Sequence, residues 1–201
     1  MAKKIRIEKN GKNALIIVDA EKDFLLKIGK LLVAGIVGEL SFKFVVKLII
    51  ALCLKPFDYR AMTRDVHDED HIECKVIKPH CLKNSTGVLF HKAFASIMNL
   101  IDEIVEKGRQ KNLFSFSVAT SHAFNEHIGK LRAAKIENIF LVGWAFDYCV
   151  GESAIDYERQ GFKVYIVRTC TQSVSEETAV RMNKRIEGFD NIKVIKFDDI
   201  A

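Results

Sequence analysis

The stretch "LVGWAFDYCVGESAIDYERQG", Leu141 to Gly161, decides how this chain is built. An apolar run stops at Gly143, and six residues later Cys149 opens a segment of helical periodicity that Gly161 ends. The pattern is that of a buried strand turning directly into a helix, with a thiol placed at the turn. Working outward, the same alternation recurs. "NALIIVDA" is an apolar run ending in an acid and reads as a buried strand from Ala14 to Asp19. "SFKFVVKLIIALCLK", Ser41 to Lys55, spaces its lysines four apart and reads as a helix with a solvated stripe. "FDYRAMTRDVH" is a second strand whose exit carries Asp65 and His67, and "LIDEIVEKG" a third ending near Lys107. "FNEHIGKLRAAKI" is a helix with Asn125 as its cap, and "NIFLVGWA" the fourth strand. The helix after it leads to "FKVYIVRT", a fifth strand, then to a capping-box helix from Ser175 to Gly188 and a last strand, "IKVIKF". Strands alternating with helices in this way predict an α/β fold of three layers, with a mainly parallel sheet between helices.

A chain of 201 residues with 49% hydrophobic and 28% charged residues fits a single domain over 1–201 with a well-filled core. The formal charge is +5, but the lysines are spread out and form no basic block, so nucleic acid is not an expected partner and the charge serves solubility. The amino end, "MAKKIRIEKNGKN", has no apolar core of the kind that a signal peptide needs. The most apolar segment, 28–54, is broken by Lys30, Glu39, Lys43 and Lys47, which argues against a membrane span. Five cysteines, an odd number without regular spacing, suit a reducing cytoplasm better than a disulfide framework. A homo-oligomer is compatible with all of this.

Ligands of open α/β sheets sit beyond the carboxyl ends of the strands, which is where Asp19, Asp65, His67, Lys107 and Cys149 fall. Cys149, Asp19 and Lys107 supply a nucleophile, a base and a charge stabiliser, because a helix start and an ammonium favour the thiolate and a carboxylate can take its proton. Each alone also has an ordinary reading as core filler, turn cap or solvated lysine. In "RDVHDEDHIECKVIKPHC", Asp65, His67, His71 and His80 form an O/N set suited to zinc, iron(II) or manganese, or alternatively a polar histidine-rich loop without metal. His91, His122 and His127 lack such company.

These residues resemble a family. "ALIIVDAEKDF" and "LVGWAFDYCV" are similar to the opening strand and nucleophile turn of the isochorismatase-like cysteine hydrolases, and the likeness spans nearly the whole chain. Within that superfamily the D-x-H-x-x-x-H loop followed by "PHC" at Pro79 to Cys81 resembles the nicotinamidases. The resemblance implies hydrolysis of nicotinamide to nicotinic acid and ammonia through a thioester on Cys149. It also implies one divalent ion, zinc first, that holds the pyridine nitrogen. "VEKG" at Val105 to Gly108 is similar to the catalytic-lysine turn, which selects Lys107 over Lys111. The resemblance further implies a cis peptide at Trp144–Ala145, oxyanion donors at Ala145 and Cys149, and Phe24 as a wall for the ring. Glu21 and Lys22 stand where the family commonly has Gln and Asn, and Ile77 where it has Trp. Another amidase of the superfamily, or a catalytically silent protein of the same fold, are the rival readings.

Overall fold

A computed structural model describes residues 4–201; Met1 to Lys3, part of the charged amino end, lie outside them. Among the described residues, six strands form one sheet: β1 (Asn13–Val18), β2 (Tyr59–Asp65), β3 (Glu103–Lys107), β4 (Asn138–Trp144), β5 (Lys163–Gln172) and β6 (Ile192–Ile195). Their order is β3-β2-β1-β4-β5-β6 and every pairing is parallel, so the three-layer α/β reading holds. The chain fills the sheet in one direction from β1 to β3, then restarts on the other side of β1 with β4. That reversal opens a crevice at the carboxyl ends of β1 and β4, the place where such sheets bind ligands.

Successive residues of β1 point to opposite faces, and both faces are covered. Leu15 and Ile17 belong to one core with Val45, Ile49 and Leu52 of α2 (Phe42–Cys53). Ala14, Ile16 and Val18 belong to the other, with Ile128 and Leu131 of α4 (Phe124–Ala133), Ala154 and Ile155 of α5 (Gly151–Arg159), and Ala179 and Met182 of α6 (Glu176–Ile186). Burial on two sides explains why β1 and β4 read as unbroken apolar runs. Two short helices, α1 (Lys22–Leu25) and α3 (Ile72–Val76), lie in the loops at the crevice. Among the described residues, no helix is long and apolar enough to cross a membrane.

Several boundaries differ from the sequence reading. Asn125 lies inside α4 and does not cap it; the turn before the helix is closed by Ser121, whose Oγ accepts from the Ala123 N–H at 3.1 Å. Ser175 does cap α6, accepting from the Thr178 N–H at 3.2 Å, but the third helical residue is Thr178, so the reciprocal glutamate of a capping box is missing. The third strand starts only at Glu103, because Lys92–Leu100 coil as a 3₁₀ segment, and β5 runs on to Gln172. Of the three solitary histidines, His91 caps that 3₁₀ segment. His127 is buried, and bonds Glu103 at 2.5 Å and the Tyr157 hydroxyl at 2.8 Å.

This Glu103 cluster yields a stability prediction. Partial burial works to raise the Glu103 pKa, but bonds from His127, Lys130 and Tyr59 outweigh it and bring the carboxyl down to about 2. A depressed carboxyl stabilises the fold above its ordinary value of 4.5 and loses that contribution as the pH falls towards 2. Glu103→Gln is therefore expected to cost ~1 kcal/mol at pH 7, an amount reduced for solvent screening. Urea unfolding should show the gap to the wild type closing as the pH drops below the ordinary carboxylate range.

Candidate active site

The nucleophile turn is wider than a plain helix start. After β4, Phe146–Val150 coil as a π-helical turn in which the Val150 N–H reaches the Ala145 carbonyl at 3.0 Å, and α5 begins only at Gly151. Cys149 thus sits within the π turn and not at the first position of an α-helix; such single π turns recur at functional sites. The Trp144–Ala145 peptide is cis. Gly143 has φ +112°, and a Cβ there would stand 2.1 Å from the Val18 carbonyl, so only glycine lets β4 lie this close to the end of β1.

Three chemical groups meet beside that turn. The Lys107 ammonium, 1% exposed, stands 2.9 Å from Asp19 Oδ2, 3.1 Å from Asp65 Oδ1 and 3.7 Å from Cys149 Sγ. Asp19 follows β1 in a left-handed conformation (φ +47°), which an aspartate tolerates, and Thr63 of β2 fixes it at both ends. Its N–H donates to Thr63 Oγ1 at 3.1 Å, and the same hydroxyl donates to Asp19 Oδ1 at 2.6 Å. Burial works against the Lys107 charge, but Asp19 and Asp65 outweigh it and hold the ammonium firmly protonated. Burial pushes the Asp19 carboxyl up, with Asp65 adding and Lys107 opposing. Burial also drives the Cys149 thiol well above its usual value, and Lys107 offsets only part of this. The sequence reading expected a thiolate favoured at rest; the buried thiol instead keeps its proton until a base takes it. Lys111 lies elsewhere, half exposed and paired with Asp70 at 2.9 Å.

A second cluster adjoins the first. Asp65, His67, Glu73 and His80 are all buried, and one ligand atom from each falls within 4.8 Å of the others. His67 Nε2 is 2.8 Å from Asp65 Oδ2 and 3.7 Å from Glu73 Oε2; His80 Nε2 is 3.6 Å and 3.8 Å from the same two oxygens. Tetrahedral ligands at zinc bond lengths stand about 3.4 Å apart, so the set fits an ion with small adjustment. The remaining ring nitrogens agree. His67 Nδ1 donates to the Gly108 carbonyl at 3.2 Å and His80 Nδ1 to the Lys78 carbonyl at 2.6 Å, which turns both Nε2 atoms towards the cluster, where an ion would take them in place of the Asp65 carboxylate.

The cluster differs from the expected set at one position. His71, expected as a ligand, turns its Nδ1 to the chain, accepts from the Glu73 N–H at 3.2 Å and lays its ring 4.1 Å from that of His67. Glu73, absent from the expected set, takes the fourth place. It is held by Ser115, whose N–H and Oγ both donate to its Oε1, at 2.5 and 2.6 Å. The long connection after Lys107 thus has a structural task.

Both clusters open on a cavity of about 160 Å³ lined by Phe24, Trp144, Ala145, Tyr148, Cys149, Phe116 and Val174, with Asp65, Glu73 and His80 at one side. Phe24, expected as a ring wall, is there and packs on His80 with centroids 5.6 Å apart. Ile77 lies on the rim, and Leu31, Leu32 and Val33 form a wall with no counterpart in the sequence reading. Glu21 is buried beside Asp65 and accepts the Asp65 N–H. Burial, with Asp19 and Asp65 nearby, drives its carboxyl well up.

The Isochorismatase domain family matches residues 13–192, most of the chain. The chain belongs to this family. A relative, the nicotinamidase/pyrazinamidase of Mycobacterium tuberculosis, is 27% identical over 176 residues, covering 83% of this chain and 90% of that protein. Among solved structures, PnC1 from L. infantum in complex with nicotinate aligns over 98% of both chains with a TM-score of 0.84 at 24% identity. The pyrazinamidase of Pyrococcus horikoshii in complex with zinc covers 92% of this chain and 99% of its own, with a TM-score of 0.69 at 23% identity. At these identities the structures speak to the fold.

Proposed function

We propose that this family member is a nicotinamidase, which hydrolyses nicotinamide to nicotinic acid and ammonia and so serves NAD salvage. The observation that carries the reading is the contact of a Lys107 ammonium with Asp19, Asp65 and Cys149 next to a buried two-imidazole, two-carboxylate cluster on one cavity. Nicotinamide carries the two groups that such a pair of clusters would take, a carboxamide and a ring nitrogen. Relatives named nicotinamidase, and a neighbour solved with nicotinate, support it.

In the mechanism, Asp19 takes the Cys149 proton as Sγ attacks the carboxamide carbon, and the Lys107 ammonium offsets the negative charge that moves from carboxylate to sulfur and back. The backbone N–H groups of Ala145 and Cys149 receive the developing oxyanion, each worth about 3 kcal/mol. Ammonia departs with the proton that Asp19 returns. Asp19 then takes a proton from water, which cleaves the thioester and frees nicotinate and the thiol. Phe24 stacks on the ring. A divalent ion, zinc first, held by Asp65, His67, Glu73 and His80, would supply a Lewis acid for the ring nitrogen. The five cysteines are all free, which suits a cytoplasmic setting.

Release of nicotinate and ammonia from nicotinamide tests the reading directly, with benzamide, which lacks the ring nitrogen, expected to be a poor substrate. A different amide turned over in preference would assign the chain to another specificity of the family, and Ile77 on the rim, in place of a flat aromatic, is the feature that favours such a substrate.

The helper groups give a further expectation. Asp19→Asn and Lys107→Ala should each lower kcat at least ~100-fold and combine less than additively, because they serve one step. Lys111→Ala should stay near wild type; the reverse pattern in steady-state kinetics would move the ammonium role to Lys111.

A further inference from the structure

Segment 26–41 runs from α1 to α2 without a helix or strand of its own, yet Leu31, Leu32 and Val33 on it form one wall of the cavity. A wall made of loop has to be held from outside. At its front, the Leu31 N–H donates to the Asp23 carbonyl at 3.1 Å and the Val33 N–H to the Phe24 carbonyl at 2.9 Å. At its back stands Gln172, the buried last residue of β5, which does not line the cavity. Gln172 Oε1 accepts from Trp144 Nε1 at 2.9 Å, while its Nε2 donates to the Ala34 carbonyl at 3.2 Å and the Leu40 carbonyl at 3.1 Å. An indole only donates and carbonyls only accept, so the amide has a single consistent orientation here.

The approach is close. Gly35 has φ +81°, and a Cβ on it would stand 2.7 Å from Gln172 Nε2 and 3.0 Å from Glu39 Oε2. Glu39 strengthens the same joint, accepting from the Ser173 N–H at 2.9 Å, from Ser173 Oγ at 2.7 Å and from Arg168. Trp144, the other partner of Gln172, lines the cavity and precedes Ala145, the residue assigned to the oxyanion.

We propose that Gln172 is a positioning residue for substrate fit: its amide fixes the Leu31–Val33 wall and the Trp144 indole relative to one another without touching the substrate. The inference rests on the nicotinamide-hydrolase reading of this cavity. Its two arms are chemically separable. One oxygen serves the indole, and two N–H groups serve the loop. A glutamate keeps the oxygen but has at most one proton for two carbonyls, whereas a leucine removes both arms.

The test compares wild type, Gln172→Glu and Gln172→Leu in nicotinamide hydrolysis and in tryptophan emission. Trp144 is the only tryptophan of the chain, so its emission reads the indole arm without any substrate. Leaving a loop carbonyl without its donor should raise the KM of Gln172→Glu at least ~5-fold, with kcat within ~2-fold and emission unchanged. Gln172→Leu should show the same rise in KM, a kcat at least ~5-fold lower and a displaced emission maximum. A KM for Gln172→Glu within twofold of wild type, equal losses of kcat in both variants, or wild-type emission from Gln172→Leu overturns the proposal. If Gln172→Leu does not fold, the KM and kcat of Gln172→Glu decide. Failure of the functional reading is seen separately, as a wild type that does not hydrolyse nicotinamide; the emission of Gln172→Leu then still decides, a displaced maximum supporting the joint and an unchanged one overturning it.

Discussion

Cys149→Ala is expected to give a folded protein that releases no measurable nicotinate from nicotinamide. The loss should be at least ~10⁴-fold in kcat, since removing the nucleophile of a covalent mechanism leaves only binding and oxyanion stabilisation behind. The fold should tolerate the change. Cys149 is buried in the π turn, but it contributes one small sulfur to the core, and Lys107 keeps its ion pairs with Asp19 and Asp65 when Sγ is gone. A stability change within ~1–2 kcal/mol in urea unfolding would fit that account. Mass spectrometry supplies the complementary check: an acyl adduct trapped from wild type after rapid quenching should be absent from the variant. Turnover at even a tenth of the wild-type rate would remove Cys149 from the covalent role and leave its neighbourhood to Lys107 without explanation.

The second large effect concerns the cluster of two imidazoles and two carboxylates. His67→Ala or Glu73→Gln should weaken binding of zinc at least ~100-fold in a competition titration and lower nicotinamide turnover to match, because each removes one of four convergent donors. His71→Ala should do much less to zinc affinity, within ~5-fold, since its Nδ1 accepts from the Glu73 N–H and His71 is not among the four side chains whose ligand atoms converge. Chelation should reproduce the His67 result and lower the unfolding temperature, because an ion that binds only the folded chain stabilises it by mass action. Benzamide hydrolysis, slow from the outset, should lose little more. A purified protein without stoichiometric divalent metal, with turnover indifferent to chelation, would reduce the cluster to buried polar packing and the function to an amidase of the family without metal-assisted ring binding.

How far these residues could be read from sequence follows from how local their signals are. β1 and β4 are legible because double-sided burial forces unbroken apolar runs, and Asp19 and Cys149 follow from lying at their ends. Lys107 falls at a strand end in the sequence, but only likeness selects it over Lys111, and it takes parallel pairing of β3 with β2 to bring it opposite Asp65. Glu73 was not legible at all. It is one acid among Asp65, Asp68, Glu69 and Asp70, and what selects it is a bond to Ser115, 42 positions away. The π turn escaped for another reason: over five residues its periodicity cannot be told from that of an α-helix. The Leu31–Val33 wall has no periodicity to read, because its order comes from Gln172, Glu39 and α1 and not from its own backbone pattern.

The sheet order also bears on how the molecule comes into being. β1 is paired on one side by β2, which follows it closely in the chain, and on the other by β4, where Asn13 meets Asn138. While the chain is being synthesised, the second edge of β1 therefore stays bare until the ribosome has delivered more than a hundred further residues. A buried, largely apolar strand with an open edge is a template for wrong partners, and pairing at such separation is slow. Refolding from denaturant should accordingly recover helical signal early and hydrolytic activity late. The delay ends when β4 docks, the same event that brings Cys149 to Asp19, so a chain stalled before that step is both inert and aggregation-prone.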